Sequence, residues 1–261
     1  MTSGAHKSNL EGGRSSLIRH WRAIVFYLLV MAALALGVSQ AVQQQRESRY
    51  IKQAAHLAAA RSPGNDTRAT VMALRDYIRE NVTRANYRSK GRPLLRDTAV
   101  ETLRSGYGGC GEVTRVFINM AAAVGIPSQR LYLDGSRSHV VALVKLNDGK
   151  QILVDSLDFP YLDNLEELNQ LSQHPEFKHY SSFNQRRLLV AVPENTVSFG
   201  PLNYYFENPH ALLAASWFAL ALLLITFRLL RQPLRAWRTR RARRRETRRQ
   251  WQTAPANSGT A

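Results

Sequence analysis

The chain has 261 residues, a formal net charge of +17 and a single cysteine. One thiol excludes an intrachain disulfide, and with scattered histidines it leaves no ligand set of zinc spacing, so neither a metal nor another cofactor is expected. The charge is concentrated at the ends: residues 228–249 supply +10 and residues 1–22 supply +3, which leaves +4 between them and excludes a strongly basic central domain.

Residues 1–22 read as a cytoplasmic N-terminus, because Lys7, Arg14, Arg19 and Arg22 precede an apolar run and favour retention inside. That run, residues 23–38 (AIVFYLLVMAALALGV), is followed by uncharged chain to Gln45, and a helix of about 20 residues can cross a bilayer. A transmembrane helix is therefore expected over 23–42. Ser39-Gln40-Ala41 resembles a signal-peptidase site, so a cleaved signal peptide is the alternative; either version exports the residues downstream of it. Residues 43–66 read as a stalk, polar and alanine-rich with no evident hydrophobic face, broken at Ser62-Pro63-Gly64-Asn65.

Residues 67–208 are long enough for one domain with its own core. Asp66 or Thr67 can cap a helix whose apolar stripe is Val71, Leu74, Ile78 and Val82, and a basic loop covers 87–93. Thr98 with Glu101 has the spacing of a capping box for a short helix. The run Gly106-Tyr107-Gly108-Gly109-Cys110-Gly111-Glu112 then opens a helical pattern of Val113, Val116, Phe117, Met120, Ala121 and Val124, closed by Gly125 with Pro127 beyond. A cysteine there meets unpaired N–H groups and the positive end of the helix dipole, and both favour the thiolate.

Residues 138–146 (SHVVALVKL) and 150–155 (KQILVD) read as two strands joined by Asn147-Asp148-Gly149. With that three-residue loop Leu146 pairs with Lys150, Val141 lies opposite Asp155, and His139 is the diagonal neighbour of Asp155 on the same face. A two-residue Asp148-Gly149 turn would instead send the two side chains to opposite faces. Further on, residues 162–171 (LDNLEELNQL) suggest a short helix, residues 187–192 a strand, and His174 and His179 flank a loop. The aromatic stretch 199–205 suits a membrane interface.

A second transmembrane helix is expected over 209–229, where residues 211–227 are apolar, and Trp217 and Arg228 help a short span. The arginine-rich tail, 230–261, holds the C-terminus in the cytoplasm; binding of nucleic acid or anionic lipid is the other reading of the same arginines. Its last residues, TAPANSGTA, are small and polar, and disorder is expected there.

The segments LRDYIREN, GYGGCGEVTRVFINMAAAVGIPSQRLY, the histidine strand and the strand ending at Asp155 together resemble the transglutaminase-like superfamily of papain-like cysteine enzymes, over about residues 67–161. The family often has a tryptophan before the aspartate strand and Pro-Thr after the aspartate, where this chain has Gln151-Ile152 and Ser156-Leu157. The resemblance implies an α+β, papain-like fold in which the helix opened by the cysteine packs on an antiparallel sheet, here flanked by two transmembrane helices. It implies Cys110 as nucleophile, His139 as base and Asp155 as the carboxylate that orients the histidine. It also implies an acyl-enzyme at an amide, resolved by water or an amine. The Cys110 N–H is one oxyanion donor and Tyr107 a candidate second.

The expected protein is thus a membrane-anchored, extracytoplasmic cysteine enzyme, with peptidase or amidase action favoured over acyl transfer. Its expected partners are a peptide or protein amide substrate, membrane lipids and a membrane-protein partner, with no nucleic acid. A non-catalytic, membrane-tethered binding or assembly protein on the same fold is the alternative.

Overall fold

Residues 23–59 contain one glycine, no proline and many strong helix formers, and the chain there belongs to a single helix, α1, Ala5–Ala59. The computed structural model describes residues 5–64, 66–85, 97–135, 139–157, 180–184 and 202–253. It divides into two units, Ser39–Leu213 and Met1–Val38 with Ala214–Ala261.

In the first of these, α2 spans Thr67–Asn81 and is capped by Asp66, whose carboxylate accepts the Arg68 N–H at 2.9 Å. Its stripe of Val71, Leu74 and Ile78 is fully buried, as the spacing predicts. After β1, Thr83–Arg84, comes α3, Ala99–Ser105, with the Thr98/Glu101 capping box formed on both sides. β2, Tyr107–Gly108, pairs in parallel with β1, and α4, Cys110–Ala123, comes next. α4 is the hub of the domain and touches α2, α3, β2 and the two strands Ser128–Gly135 and His139–Lys145. Its Val113, Val116, Phe117, Met120 and Ala121 are almost wholly buried.

Four strands form an antiparallel sheet in the order β5-β4-β3-β6: β3 is Ser128–Gly135, β4 His139–Lys145, β5 Gln151–Val154 and β6 Tyr180–Asn184. Ala142, Val144, Ile152 and Val154 share one core with α2 and α4. The sequence reading included neither β3 nor β6. The expected helix at 162–171, the strand at 187–192, His174 and His179 lie outside the described residues, as do most of the basic loop at 87–93 and residues 254–261.

The reading of 43–66 as a stalk without a hydrophobic face is corrected. Ile51, Ala54, Ala55 and Ala58 of α1 are buried in the same core as Val71 and Phe117. Alanine methyls make a narrow apolar face that allows close packing but gives little amphipathic contrast in sequence. Near the other end of the domain lie α5, Asn203–Glu207, and the start of α6, which runs Pro209–Thr253 and continues as helix through the arginine-rich segment.

Two helical stretches are long and apolar enough to cross a membrane, Ala23–Ala59 and Pro209–Arg231, and the second unit contains residues 23–38 of the first and 214–231 of the second. Val30, Ala33 and Gly37 are buried on α1 and Ala221 on α6, whereas Leu28, Met31, Leu222 and Leu223 are more than 60% exposed. Small residues inside and large apolar ones outside is the arrangement of helices packed in lipid, where close backbone approach supplies the contact. Arg228 lies 4.6 Å from the ring centre of Phe26 and 4.7 Å from that of Tyr27, which gives its charge aromatic partners.

A methyl group at Gly37 would lie 2.8 Å from the Phe218 ring. Gly37→Leu is therefore expected to loosen the helix pair by about 1–3 kcal/mol and lower the thermal midpoint of the full chain in detergent, with Gly37→Ala costing less. An unchanged midpoint for Gly37→Leu would show that the ring has room to move away.

Candidate active site

Three glycine positions shape the approach to the cysteine. Gly106 ends α3 in the left-handed region, φ +70°, where a side chain would be strained. A methyl on Gly108 would meet Thr102 at 2.9 Å and Val113 at 3.1 Å, so the strand can press against α3 and α4 only without one. Gly109 is the N-cap of α4, and Glu112 reaches back to accept its N–H at 2.6 Å. Cys110 is consequently the first residue of α4, with an N–H that has no acceptor within the helix.

The β4–β5 hairpin has the three-residue loop. Leu146 N–H donates to Lys150 at 2.9 Å, Gly149 is left-handed at φ +84°, and the ladder runs Lys145 to Gln151 through Ala142 to Val154. One step further along this ladder Val141 faces Asp155, and His139 meets Asp155 diagonally. His139 Nε2 lies 2.9 Å from Asp155 Oδ2, with both residues at most 2% exposed. Since Nε2 is engaged there, Nδ1 is the nitrogen left for the hydrogen bond between His139 and Cys110.

Burial alone would raise the Cys110 thiol, but the His139 hydrogen bond and charge, with backbone N–H groups of Val140 and Gly111, outweigh it and lower the pKa. Burial likewise works against the His139 charge. Hydrogen bonds to Asp155 and Cys110 and the charges of both prevail, and the imidazole is pushed up to about 9. The two shifts favour a thiolate beside an imidazolium, which is the charge state of a nucleophile with its proton already transferred.

Several contacts hold these groups in register. Thr114 on α4 donates its hydroxyl to the Val140 carbonyl at 3.0 Å, tying the cysteine helix to the strand one residue after His139. Asp155 Oδ1 accepts the Leu157 N–H at 2.8 Å, which fixes the carboxylate while Oδ2 faces the histidine. Arg79, from α2, donates to the Asp155 carbonyl at 3.0 Å and the Leu157 carbonyl at 3.1 Å and clamps that turn. On the other side Arg130 of β3 forms a two-pronged pair with Glu207 at 2.8 and 2.7 Å. Arg115 on α4 meets the same carboxylate at 3.5 Å and donates to the Asp97 carbonyl.

The structure thus brings Cys110, His139 and Asp155 together. Tyr107 sits on β2 with its side chain 61% exposed, and no described contact joins it to Cys110. Among the described residues no group of three or more His, Cys, Asp or Glu could hold a metal ion. Sequence reasoning missed Arg79, Arg130 and Glu207. Their partners lie 76 to 78 residues away, and nothing local distinguishes them from surface charges.

Residues 55–156 match the model of the transglutaminase-like superfamily. No curated protein matches the chain. Among solved structures, a candidate cysteine protease from Cytophaga hutchinsonii is 16% identical with a TM-score of 0.39, covering 56% of this chain and 45% of its own. A candidate protease from Parabacteroides distasonis is 19% identical with a TM-score of 0.34, covering 47% of this chain and 26% of its own. Legionella pneumophila LapG is 14% identical with a TM-score of 0.33, covering 56% of this chain and 77% of its own. The chain therefore spans less than half the length of the first two. The cysteine helix, the antiparallel sheet and the matched residues 55–156 give this part of the chain a transglutaminase-like fold.

Proposed function

We propose that this protein is a membrane-anchored cysteine enzyme that forms an acyl-enzyme at an amide carbonyl, with Cys110 as nucleophile, His139 as general base and acid, and Asp155 orienting the imidazole. The observation that carries the reading is the buried relay in which Asp155 holds His139 Nε2 at 2.9 Å and the histidine bonds Cys110 at the first residue of a helix. In this reading the thiol proton moves to Nδ1 and Sγ bonds to the carbonyl carbon. Collapse of the tetrahedral species then breaks the C–N bond as the imidazolium protonates the leaving amine. Water, deprotonated by the same imidazole, releases the acid and regenerates the thiol.

The oxyanion would take the free Cys110 N–H at the positive end of α4. Tyr107, the other candidate, would have to turn inward when substrate binds. Hydrolysis is preferred over transfer because no group in the site selects an amine over water. The membrane reading adds lipid as a partner and puts the domain outside the cytoplasm of a bacterial inner membrane, with both termini inside. It is supported by the two apolar helices and by the arginines that come after the second.

Three measurements test this. Alkylation of the full chain by iodoacetamide reports Cys110 alone, since there is no other thiol. Its pH midpoint is expected below the ordinary thiol value of about 8.5 and to rise in His139→Ala, with a smaller rise in Asp155→Asn. An ordinary midpoint insensitive to both changes would leave Cys110 a structural thiol and favour the binding-protein reading.

On a cleaved peptide amide, the rate should fall as pH rises through about 9, because the imidazolium that protonates the leaving amine is lost there. The acid limb should lie below the usual thiol range, because the thiolate forms early. An alkaline limb near the ordinary histidine value of 6.5 would contradict the pairing. In intact cells, a membrane-impermeant maleimide should label Cys110 without lysis. Labelling only after lysis would reverse the proposed topology.

A further inference from the structure

Behind the cysteine lies a buried charge cluster that the relay itself does not use. Arg130 spends Nε and Nη2 on Glu207. Its third nitrogen, Nη1, faces the first turn of α4, where a methyl group on Gly111 would come within 3.3 Å of it. Arg115 of α4 stands 3.5 Å from the same carboxylate, and the Glu207 backbone carbonyl accepts from Asn119 at 3.1 Å. Both guanidinium groups stand against the Glu207 carboxylate, and the Arg130 and Cys110 charges interact.

We propose that Arg130 is a positioning residue for Cys110, held against the first turn of α4 by Glu207, so that the reactivity of the cysteine depends on the docking of α5. This rests on Cys110 being the nucleophile. Residue 111 is glycine in a helix, where glycine is unfavourable, and the space a side chain would fill is the one Arg130 Nη1 approaches. Glu207 ends α5 two residues before α6 begins, so a segment leading into an apolar helix fixes an arginine beside the thiol. The guanidinium keeps its charge because Glu207 outweighs its burial, and a fixed cation at this range favours the thiolate.

The test is iodoacetamide alkylation of the full chain in detergent across pH, with far-UV circular dichroism to check folding. Arg130→Met is expected to raise the alkylation midpoint by about one unit, which slows labelling about tenfold below it, while leaving the high-pH plateau unchanged. Glu207→Asp, which keeps the charge but is one methylene too short for the two-pronged anchor, should shift the midpoint in the same direction. Arg130→Lys should recover part of the shift, since it restores charge without the planar fork. A purely structural role would instead change labelling in parallel at every pH. Wild-type midpoints in Arg130→Met and Glu207→Asp would overturn the proposal, and a shift in the first without the second would overturn the dependence on α5. If His139→Ala still raises the midpoint while these variants do not, only this inference fails. If His139→Ala has no effect either, the underlying reading of Cys110 fails with it.

Discussion

The hydrogen bond between His139 and Asp155 constrains everything around the site, because it joins two residues that meet only in one register of the hairpin. They stand 16 positions apart on either side of a hairpin, and side chains on a strand alternate faces. One residue more or less in the loop would move one of them to the far side of the sheet. The left-handed Gly149 and the Leu146 to Lys150 bond therefore bear on chemistry as much as on folding. Asp148 adds to the same loop by accepting the Lys150 N–H at 3.0 Å. The turn sets the register, the register sets the carboxylate beside the imidazole, and the carboxylate sets which imidazole nitrogen is left over.

The cost of this arrangement is a concentration of buried charge. Arg115 and Glu207, together with His139 and Asp155, are less than a tenth exposed, as are Glu47, Arg75 and Asp97. Removing an ion from water costs several kcal/mol, and that cost is offset only where partners are close and well oriented. Here Glu207 accepts both nitrogens of the Arg130 fork, and Asp155 uses one oxygen for a backbone N–H and the other for the histidine. Such clusters contribute little net stability relative to apolar packing. What they contribute is intolerance of misplacement, since a shift of one partner strands the charge of the other.

Much of this was legible in the sequence where the determinants are local. The capping pair Thr98 and Glu101, the cysteine at the opening of α4, the apolar stripe of α2 and the hairpin register all come from spacing within a few residues. What was not legible depends on distant partners or muted patterns. β3 carries Leu131 and Leu133 at strand spacing, but the polar stretch around Arg130 obscures it, and that arginine is buried only because Glu207 comes to it from 77 residues away. The face of Ile51, Ala54, Ala55 and Ala58 is apolar only by methyl groups, and reads as a polar stalk until the core it fills is known.

The state of the thiol shows why a motif alone is not a site. Burial raises the Cys110 pKa, and if burial acted alone the glycine-rich loop would produce an inert cysteine. The opposing contributions come from separate elements: the imidazole and the Val140 N–H from β4, and the Gly111 N–H from α4 itself. Only the last is built into the local sequence. The others exist because Thr114 bonds the Val140 carbonyl and holds helix and strand at one separation, and because Asp155 keeps the imidazole turned toward the sulfur. The lowered Cys110 pKa thus comes from the packed helix and sheet and is absent from the unfolded chain. A chain with the same loop but without that packing would carry a thiol at a helix start and no more.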